Sequence, residues 1–394
     1  MAFVFITVLL DMLAFGVVIP VLPQLIRDFV GGDYAQAAVW VGIFGTLFAV
    51  AQFVCSPIQG ALSDRFGRRP VILLSNLGLG LDFILMALAN TLPLLFLGRV
   101  LAGVTAASVA TANAYIADVT PADRRAGAFG IVGGAFGLGF VLGPALGGLL
   151  GGIDIRLPFW VAAGLALLNF AYGFFILPES LPLEKRSARI DWRRANPVGA
   201  LLMLRSFPRV FGLALLAFTS NLAHYALPST FVLYTDYRYG WGAQKVGLVL
   251  ALVGISNVLV QLVLVRRVVP RFGERRTLLA GLLFGMGGFA IMGLAPQGTL
   301  FLLGIPLLAL WGLAGPATQS LLSRRVPDDQ QGRLQGSIAS VVAVAGIFAP
   351  WLFTHIFAAA IAPDALLALP GAAFVVSTLL LGVAFVLALR VARA

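Results

Sequence analysis

The sequence predicts an all-α membrane protein with twelve transmembrane helices in two six-helix halves. Three observations carry that reading. Hydrophobic residues fill 60% of the 394 positions, charged residues only 11%, and the mean hydropathy is +0.98. A soluble chain carries about a quarter charged residues, so this one has too few polar groups to cover a core in water. The apolar residues fall in runs of about 20, the length that crosses a bilayer as a helix. Short motifs also recur at one constant spacing of 206 residues.

The runs in the first half are 3–25, 37–60, 70–90, 94–117, 126–150 and 157–178. The first lacks a charged leading segment and a small-residue cleavage site, so it reads as a retained helix and not a cleaved signal peptide. The second carries Gln52, Ser56, Gln59 and Ser63 at steps of four, three and four. That stripe either lines a path or bonds two helices together. Cys55 on the same run reads as a small core residue. The third run holds Asp82, and the fourth puts Arg99, Gly103, Ala106, Ala110 and Asn113 on one face. The fifth has Gly139 and Gly143 before Pro144, which suits close backbone approach and a kink. No strand precedes those glycines, so a dinucleotide fingerprint is excluded.

Residues 1–178 form the first half, 179–207 a linker rich in Arg, Ser and Pro, and 208–394 the second half. The runs of the second half are 208–234, 243–267, 277–296, 300–322, 335–358 and 368–390. The two halves match at 206: Arg65, Phe66 and Gly67 with Arg271, Phe272 and Gly273, Arg69 with Arg275, Pro121 and Asp123 with Pro327 and Asp329, Gly130 with Gly336, and Pro144 with Pro350. A duplicated six-helix unit is a transporter pattern, with the site between the halves at the membrane midplane.

The net charge of +11 does not call for nucleic acid. With the N-terminus inside, 22 of the 27 Lys and Arg fall in cytoplasmic segments. The positive-inside rule then puts both termini in the cytoplasm and accounts for the basicity. One cysteine and two histidines leave no metal cluster and no disulfide framework, and no cofactor is implied.

Of the sixteen acids, only Asp11 and Asp82 lie well inside predicted helices. A charge there costs about 2.5 kcal/mol or more, so such a residue has a watery cavity or a partner. Burial disfavours the charged form. An acid of this kind can take up a proton and return it as its surroundings change. Arg99 is the one cation within a predicted helix, and it either tunes an acid in a cavity wall or reaches for the outer interface. The second half has no such acid: at 206, Asp11 meets Ala217, Asp82 meets Gly288 and Arg99 meets Ile305. It offers Asn221, His224 and Tyr225 in helix seven, Asn257 and Gln261 in helix eight, and Trp311, Thr318 and Gln319 in helix ten. Together with Gln52 and Asn113 these are the candidate lining of a substrate cavity. His355 reads as interfacial.

The loop "GALSDRFGRRP" (60–70), with its degraded copy "VVPRFGERR", resembles the signature loop of the major facilitator superfamily. The resemblance implies a gating loop of Gly60, Asp64, Arg65, Gly67, Arg68 and Arg69, in which Asp64 helps to lock the cytoplasmic side in the outward-facing state. "LLDMLAFGVVIPVLPQL" (9–25), "GRVLAGVTAAS" (98–108) and "GLGFVLGPALGG" (137–148) resemble the first, fourth and fifth helices of its drug/proton antiporters. "SDRFGRRPVILLSNLGLGLDFILMALA" (63–89) is similar to the bacterial tetracycline/proton antiporters. The chain departs from that group at Gly285 and near Asn257, where its members carry an aspartate and a histidine.

These features together imply a proton-coupled exporter of a small hydrophobic or amphiphilic compound, with Asp82, Asp11 and Arg99 coupling protons. The resemblance implies a bacterial inner membrane, and the partners are the bilayer, the substrate and protons. The chain is read as a monomer. An importer or facilitator of an endogenous metabolite is the alternative. An enzyme is excluded by the lack of a nucleophile–base pair, a metal cluster and a Walker A motif.

Overall fold

Among the described residues, a single residue can be a whole connection between helices. In a computed structural model describing residues 2–106, 108–121, 124–187, 210–327, 331–365 and 368–391, helix α3 (Tyr34–Phe66) ends at Phe66 and α4 (Arg68–Leu88) begins at Arg68. Gly67 makes the whole turn at φ 106 and ψ 163, a region open in practice only to glycine. The copy repeats it: Gly273, at φ 77 and ψ 161, separates α12 (Val265–Phe272) from α13 (Glu274–Leu294). Gly60, expected to serve the turn, is instead helical within α3 with open space around it. The helical ladder simply continues to Phe66, so no flexibility is needed before Gly67.

Among the described residues the regular structure is helical, and each of the twelve predicted spans is occupied by helix. Four of them, expected as single helices, are broken in two. The first is α1 (Ala2–Val18) and α2 (Leu22–Phe29); the fourth is α5 (Leu92–Thr105) and α6 (Ser108–Val119). The fifth and sixth spans, unbroken, are α7 (Arg125–Gly151) and α8 (Leu157–Ile176). The seventh is broken into α9 (Phe211–His224) and α10 (Ala226–Tyr239). The eighth runs without a break from α11 (Ala243–Leu259) through a π-helical turn, Val260–Leu264, into α12. The tenth is broken into α14 (Gly298–Trp311) and α15 (Ala314–Ser323). The eleventh and twelfth are α16 (Gln331–Ile361) and α17 (Ala372–Val391). Among the described residues, ten helical stretches are long and apolar enough to cross a membrane; the pieces of the fourth and seventh spans are each too short. Most of the linker, 188–207, lies outside the described residues, as do Asp123 and Asp329.

The breaks repeat at 206: Val18 and His224 end their pieces, as do Thr105 and Trp311, while Ser108 and Ala314 restart theirs. The bonding at the far ends of α6 and α15 repeats too. Arg125 donates to the carbonyls of Ala117 at 2.9 Å and Thr120 at 3.1 Å. Gln331, 206 residues on, donates to those of Ser323 at 2.7 Å and Val326 at 2.8 Å.

By contacts the chain divides into two units. The first is Met1–Gly31, Leu47–Asn196 and Gly242–Ala251. Its core joins Val4 and Val8 of α1, Ile72 of α4, Ala112, Tyr115 and Ile116 of α6, and Val132 of α7. Here α7 lies backbone-close to α1. A Cβ on Gly143 would sit 2.7 Å from the Gly16 Cα, and one on Gly139 would strike Met12. The second unit is Gly32–Thr46, Pro197–Trp241 and Leu252–Ala394. Tyr234 is its hub, donating to the Met292 carbonyl at 3.0 Å with its ring among Phe301, Phe357 and Phe374.

The two glycines of the loop give a direct check. Gly67→Ala carries a strain of about 1–3 kcal/mol and displaces the Glu179 carboxylate; we expect it to lower the unfolding temperature in detergent. Gly60→Ala fills open space in a helix and should leave that temperature unchanged or raise it, by about 0.5–1 kcal/mol of helix stability at most.

Candidate functional site

A carboxylate and a guanidinium meet inside the first unit. Asp82 on α4 is 0% exposed and Arg99 on α5 is 8% exposed, and Arg99 Nη2 donates to Asp82 Oδ2 at 2.5 Å. Glycine at 98 makes room: a Cβ there would fall 2.6 Å from Asp82 Oδ1. The guanidinium also lies over the Phe48 ring, 5.7 Å from its centroid. Among the described residues, Asp82 Oδ1 and Arg99 Nε have no hydrogen-bond partner. The pair neutralises two charges that lipid will not accept alone, yet leaves a carboxylate oxygen unengaged. Protonating Asp82 would remove the charge that holds Arg99 and leave it a neutral acceptor and the Phe48 face. The sequence offered the two residues as separate candidates, and the fold makes them one group.

Asp11 lies elsewhere in the unit. It is 2% exposed on α1, and the Asn169 amide on α8 donates to its Oδ1 at 2.8 Å and to the Thr7 carbonyl at 2.9 Å. Asn169 was not singled out from the sequence. A lone asparagine at the middle of the apolar run 157–178 was the available signal.

The loop residues gather around Arg68, which is itself 9% exposed. Its guanidinium donates to Asp64 Oδ1 at 2.5 Å, Ser63 Oγ at 2.7 Å and Asp118 Oδ2 at 3.0 Å. Its backbone N–H donates to Glu179 Oε1 at 2.8 Å. Arg69 donates to the Phe174 carbonyl, and Arg65 lies over the Phe66 ring. Asp118 and Glu179 were missed because acids at a membrane edge look like ordinary surface groups. The second unit holds the same pair with its charges exchanged. Glu274 replaces Arg68 at 206, and Arg324 replaces Asp118, at 2.7 Å.

The polar residues of helices two and eight serve the broken helices. Gln52 donates to the Ala106 carbonyl at 3.5 Å and Gln59 to that of Val104, both at the break between α5 and α6. Gln261, in the π-helical turn, donates to the Gly312 carbonyl at the matching break, at 3.2 Å. Asn221 turns back to the Ala217 carbonyl of its own helix. Asn113 and Gln319, 206 apart, are exposed, and Asn257 is half-buried. His224, Tyr225 and Trp311 do come together: the His224 ring lies 5.6 Å from Trp311 and 6.3 Å from Tyr225. A Cβ on Gly285 would sit 2.8 Å from Trp311 Cγ and from Leu381 Cδ1. The indole thus fills the space where an acid at 285 would project. Among the described residues, no cluster of His, Cys, Asp and Glu could hold a metal.

The model of the Major Facilitator Superfamily matches residues 4–350. The chain is 40% identical over 353 residues to the tetracycline resistance protein, class C, of Escherichia coli, covering 90% of this chain and 88% of that one. It is 37% identical over 354 residues to the class G protein of Vibrio anguillarum, covering 89% and 88%. Among solved structures it resembles the human organic anion transporter MFSD10 (TETRAN), with TM-score 0.72, 26% identity and 98% of each chain covered.

The bonding around Arg68 ranks two acids. The Asp118 side chain is 21% exposed and also accepts from Ser180 at 3.2 Å, whereas that of Asp64 is 53% exposed. Losing a charged acceptor for a buried guanidinium costs about 1–3 kcal/mol. An exposed pair contributes roughly 1 kcal/mol at most. Asp118→Asn should therefore lower the unfolding temperature clearly more than Asp64→Asn, and equal shifts would contradict the assignment.

Proposed function

The chain belongs to the major facilitator superfamily, and on that premise we propose that it is a proton-driven exporter of a bulky hydrophobic or amphiphilic compound, with tetracycline-like drugs as the first candidates. It is an integral membrane transporter and not an enzyme, as its family and relatives are. The observation that carries the proposal is the buried pair of Asp82 and Arg99 in an apolar helix bundle. An acid kept at such cost, half-engaged by a cation that can hold or release it, suits a group that gains and loses a proton in each cycle. Support for drug export comes from the two tetracycline resistance proteins that the chain resembles along most of its length.

In this reading the two halves rock about a central cavity. Protons from outside load Asp82 or Asp11 and leave inside, while substrate moves outward. Each proton supplies about 2.3 kcal/mol per 100 mV, enough for a roughly fifty-fold gradient of a neutral compound. The linker and both termini face the cytoplasm of a bacterial inner membrane, and the protein works as a monomer. The substrate is neutral or weakly cationic, because Trp311 fills the space beside Gly285 and aromatic groups stand where a second acid would. His224, Tyr225 and Trp311 are its proposed contacts. Asp64 and Arg68 act at the cytoplasmic gate, with Arg65 and Arg69 holding the loop at the membrane face.

Two variants in proteoliposomes test the reading. Asp82→Asn keeps the shape of the side chain but cannot release a proton. It should abolish uphill export under a pH gradient while still exchanging substrate without one; intact uphill export would defeat the assignment. Asp64→Asn should express normally and lower flux in both assays. Normal flux in that variant would remove Asp64 from the gate.

A further inference from the structure

We propose that Asn76, which the coupling pair does not use, holds a buried water through which Asp11 gains and loses its proton; the proposal rests on the proton-exporter reading. Asn76 sits on α4 at 0% exposure, and among the described residues neither its Nδ2 nor its Oδ1 has a hydrogen-bond partner. A carboxamide has two N–H donors and an acceptor oxygen, so burying it without partners is strongly unfavourable. Something small and polar belongs beside it.

Its position follows from the register of α4 against α8. A Cβ on Gly80 would lie 2.8 Å from Leu167 Cδ2, and one on Gly173 would lie 3.0 Å from Leu73 Cδ2. The numbers rise along one helix as they fall along the other, so the helices are antiparallel and residue 76 stands opposite 170 or 171, within a turn of 169. Leu73, Asn76 and Gly80 are spaced three and four apart and share the face turned to α8. Ala166, Asn169 and Gly173 form the matching face, all buried. Asn76 and Asn169 thus lie within a turn of each other on the facing surfaces of α4 and α8. Asn169 spends its amide N–H groups on Asp11 and the Thr7 carbonyl, while its own Oδ1 has no partner among the described residues. The Thr7 hydroxyl, one turn from Asp11, is buried and unpartnered as well.

The chemistry selects water over a metal cation. A cation would take the oxygens of Asn76, Asn169 and Thr7 but would repel the Asn76 N–H groups, which must donate to something. Water both donates and accepts, and it meets the usual requirement of two to four polar partners. The titratable groups near this level on the surrounding helices are Asp11 on α1, Tyr115 on α6 and Tyr172 on α8. Only the carboxylic acid is suited to exchanging a proton near neutral pH. A water held between Asn76 and Asn169 would exchange a proton with Asp11 through the Thr7 hydroxyl, which gives up one proton as it takes another, one turn from the carboxylate; the Asn169 amide only orients Asp11.

Three measurements on the full-length protein decide the matter. In hydroxyl-radical footprinting, water beside Asn76 should make the flanking Leu73 and Leu167 react despite their packing. Asn76→Leu should remove that labelling, and unlabelled wild type would overturn the water itself. In proteoliposomes Asn76→Leu should lower uphill export by about tenfold or more, as the loss of a proton-transfer partner does, with gradient-free exchange within about twofold of wild type. Asn76→Ser, which keeps a water-binding group and fits a smaller space, should restore most of the export and guards against a misfolded leucine variant. Full uphill export by Asn76→Leu, or equal loss of exchange and uphill export in both variants, overturns the role. Stimulation of wild-type export by a sodium gradient, lost in Asn76→Leu, would replace water with a cation. If wild type shows no proton-driven export, the exporter reading fails and the proton role of Asn76 with it, while the footprint still reports the water.

Discussion

Hydrocarbon offers no hydrogen bonds, so every backbone group and charge placed in it must find its partner within the protein. Unbroken helices meet that demand by themselves. Here the fourth and tenth spans are interrupted, and each interruption releases carbonyls that need donors. Gln52 and Gln59 supply them at one break, Gln261 at the other, and Arg125 and Gln331 cap the carbonyls at the ends of α6 and α15. The breaks and the glutamines are one feature: without the amides, the interruptions would be costly, and without the interruptions, the amides would be unpaired.

Charge obeys the same constraint. Arg99 is tolerated at its depth because Asp82 and the Phe48 face meet it. Arg68 is nearly as buried, and it is matched by two carboxylates and a serine. The single glycine between α3 and α4 brings those groups together. A longer turn would carry the arginine away from Asp118, and a side chain on residue 67 would push aside Glu179.

The spans were legible because hydropathy reports them one by one. The acids were legible because a charge in an apolar run is rare. The breaks of the fourth and tenth spans were not: "TAAS" at 105–108 carries no proline or glycine, and "WGLA" at 311–314 only one glycine. The amide donors that satisfy these interruptions come from other helices, which local sequence does not contain. Asn76 and Asn169 were equally invisible, since an amide in a long apolar stretch is unremarkable until helix register brings it within a turn of another. Asp118 and Glu179 passed as surface acids until the fold brought Arg68 to them. The polar stripe of helix two was visible, and in the fold its Gln52 and Gln59 bond the backbone of the neighbouring span.

The two copies preserve architecture and abandon chemistry, and one helix crossing explains how. In the first copy Asp82 stands beside Gly98, with Arg99 next in sequence to receive it. At 206 the same crossing has Gly288 against Gly304, where a Cβ would lie 3.0 Å from the Gly304 carbonyl and 2.9 Å from Leu308 Cγ. Ile305 replaces the arginine. The second pair of helices packs backbone to backbone, with no room for a carboxylate and no cation to hold one. Restoring an acid there would require both a wider crossing and a counter-charge, two coupled changes. The Glu274–Arg324 pair shows that the second copy keeps ion pairs at the membrane edge, with polarity reversed, where water relaxes the demand. Deep in the bundle it keeps none among the described residues. On the exporter reading, proton handling is left to the first half, and the second half offers neutral and aromatic groups to the substrate.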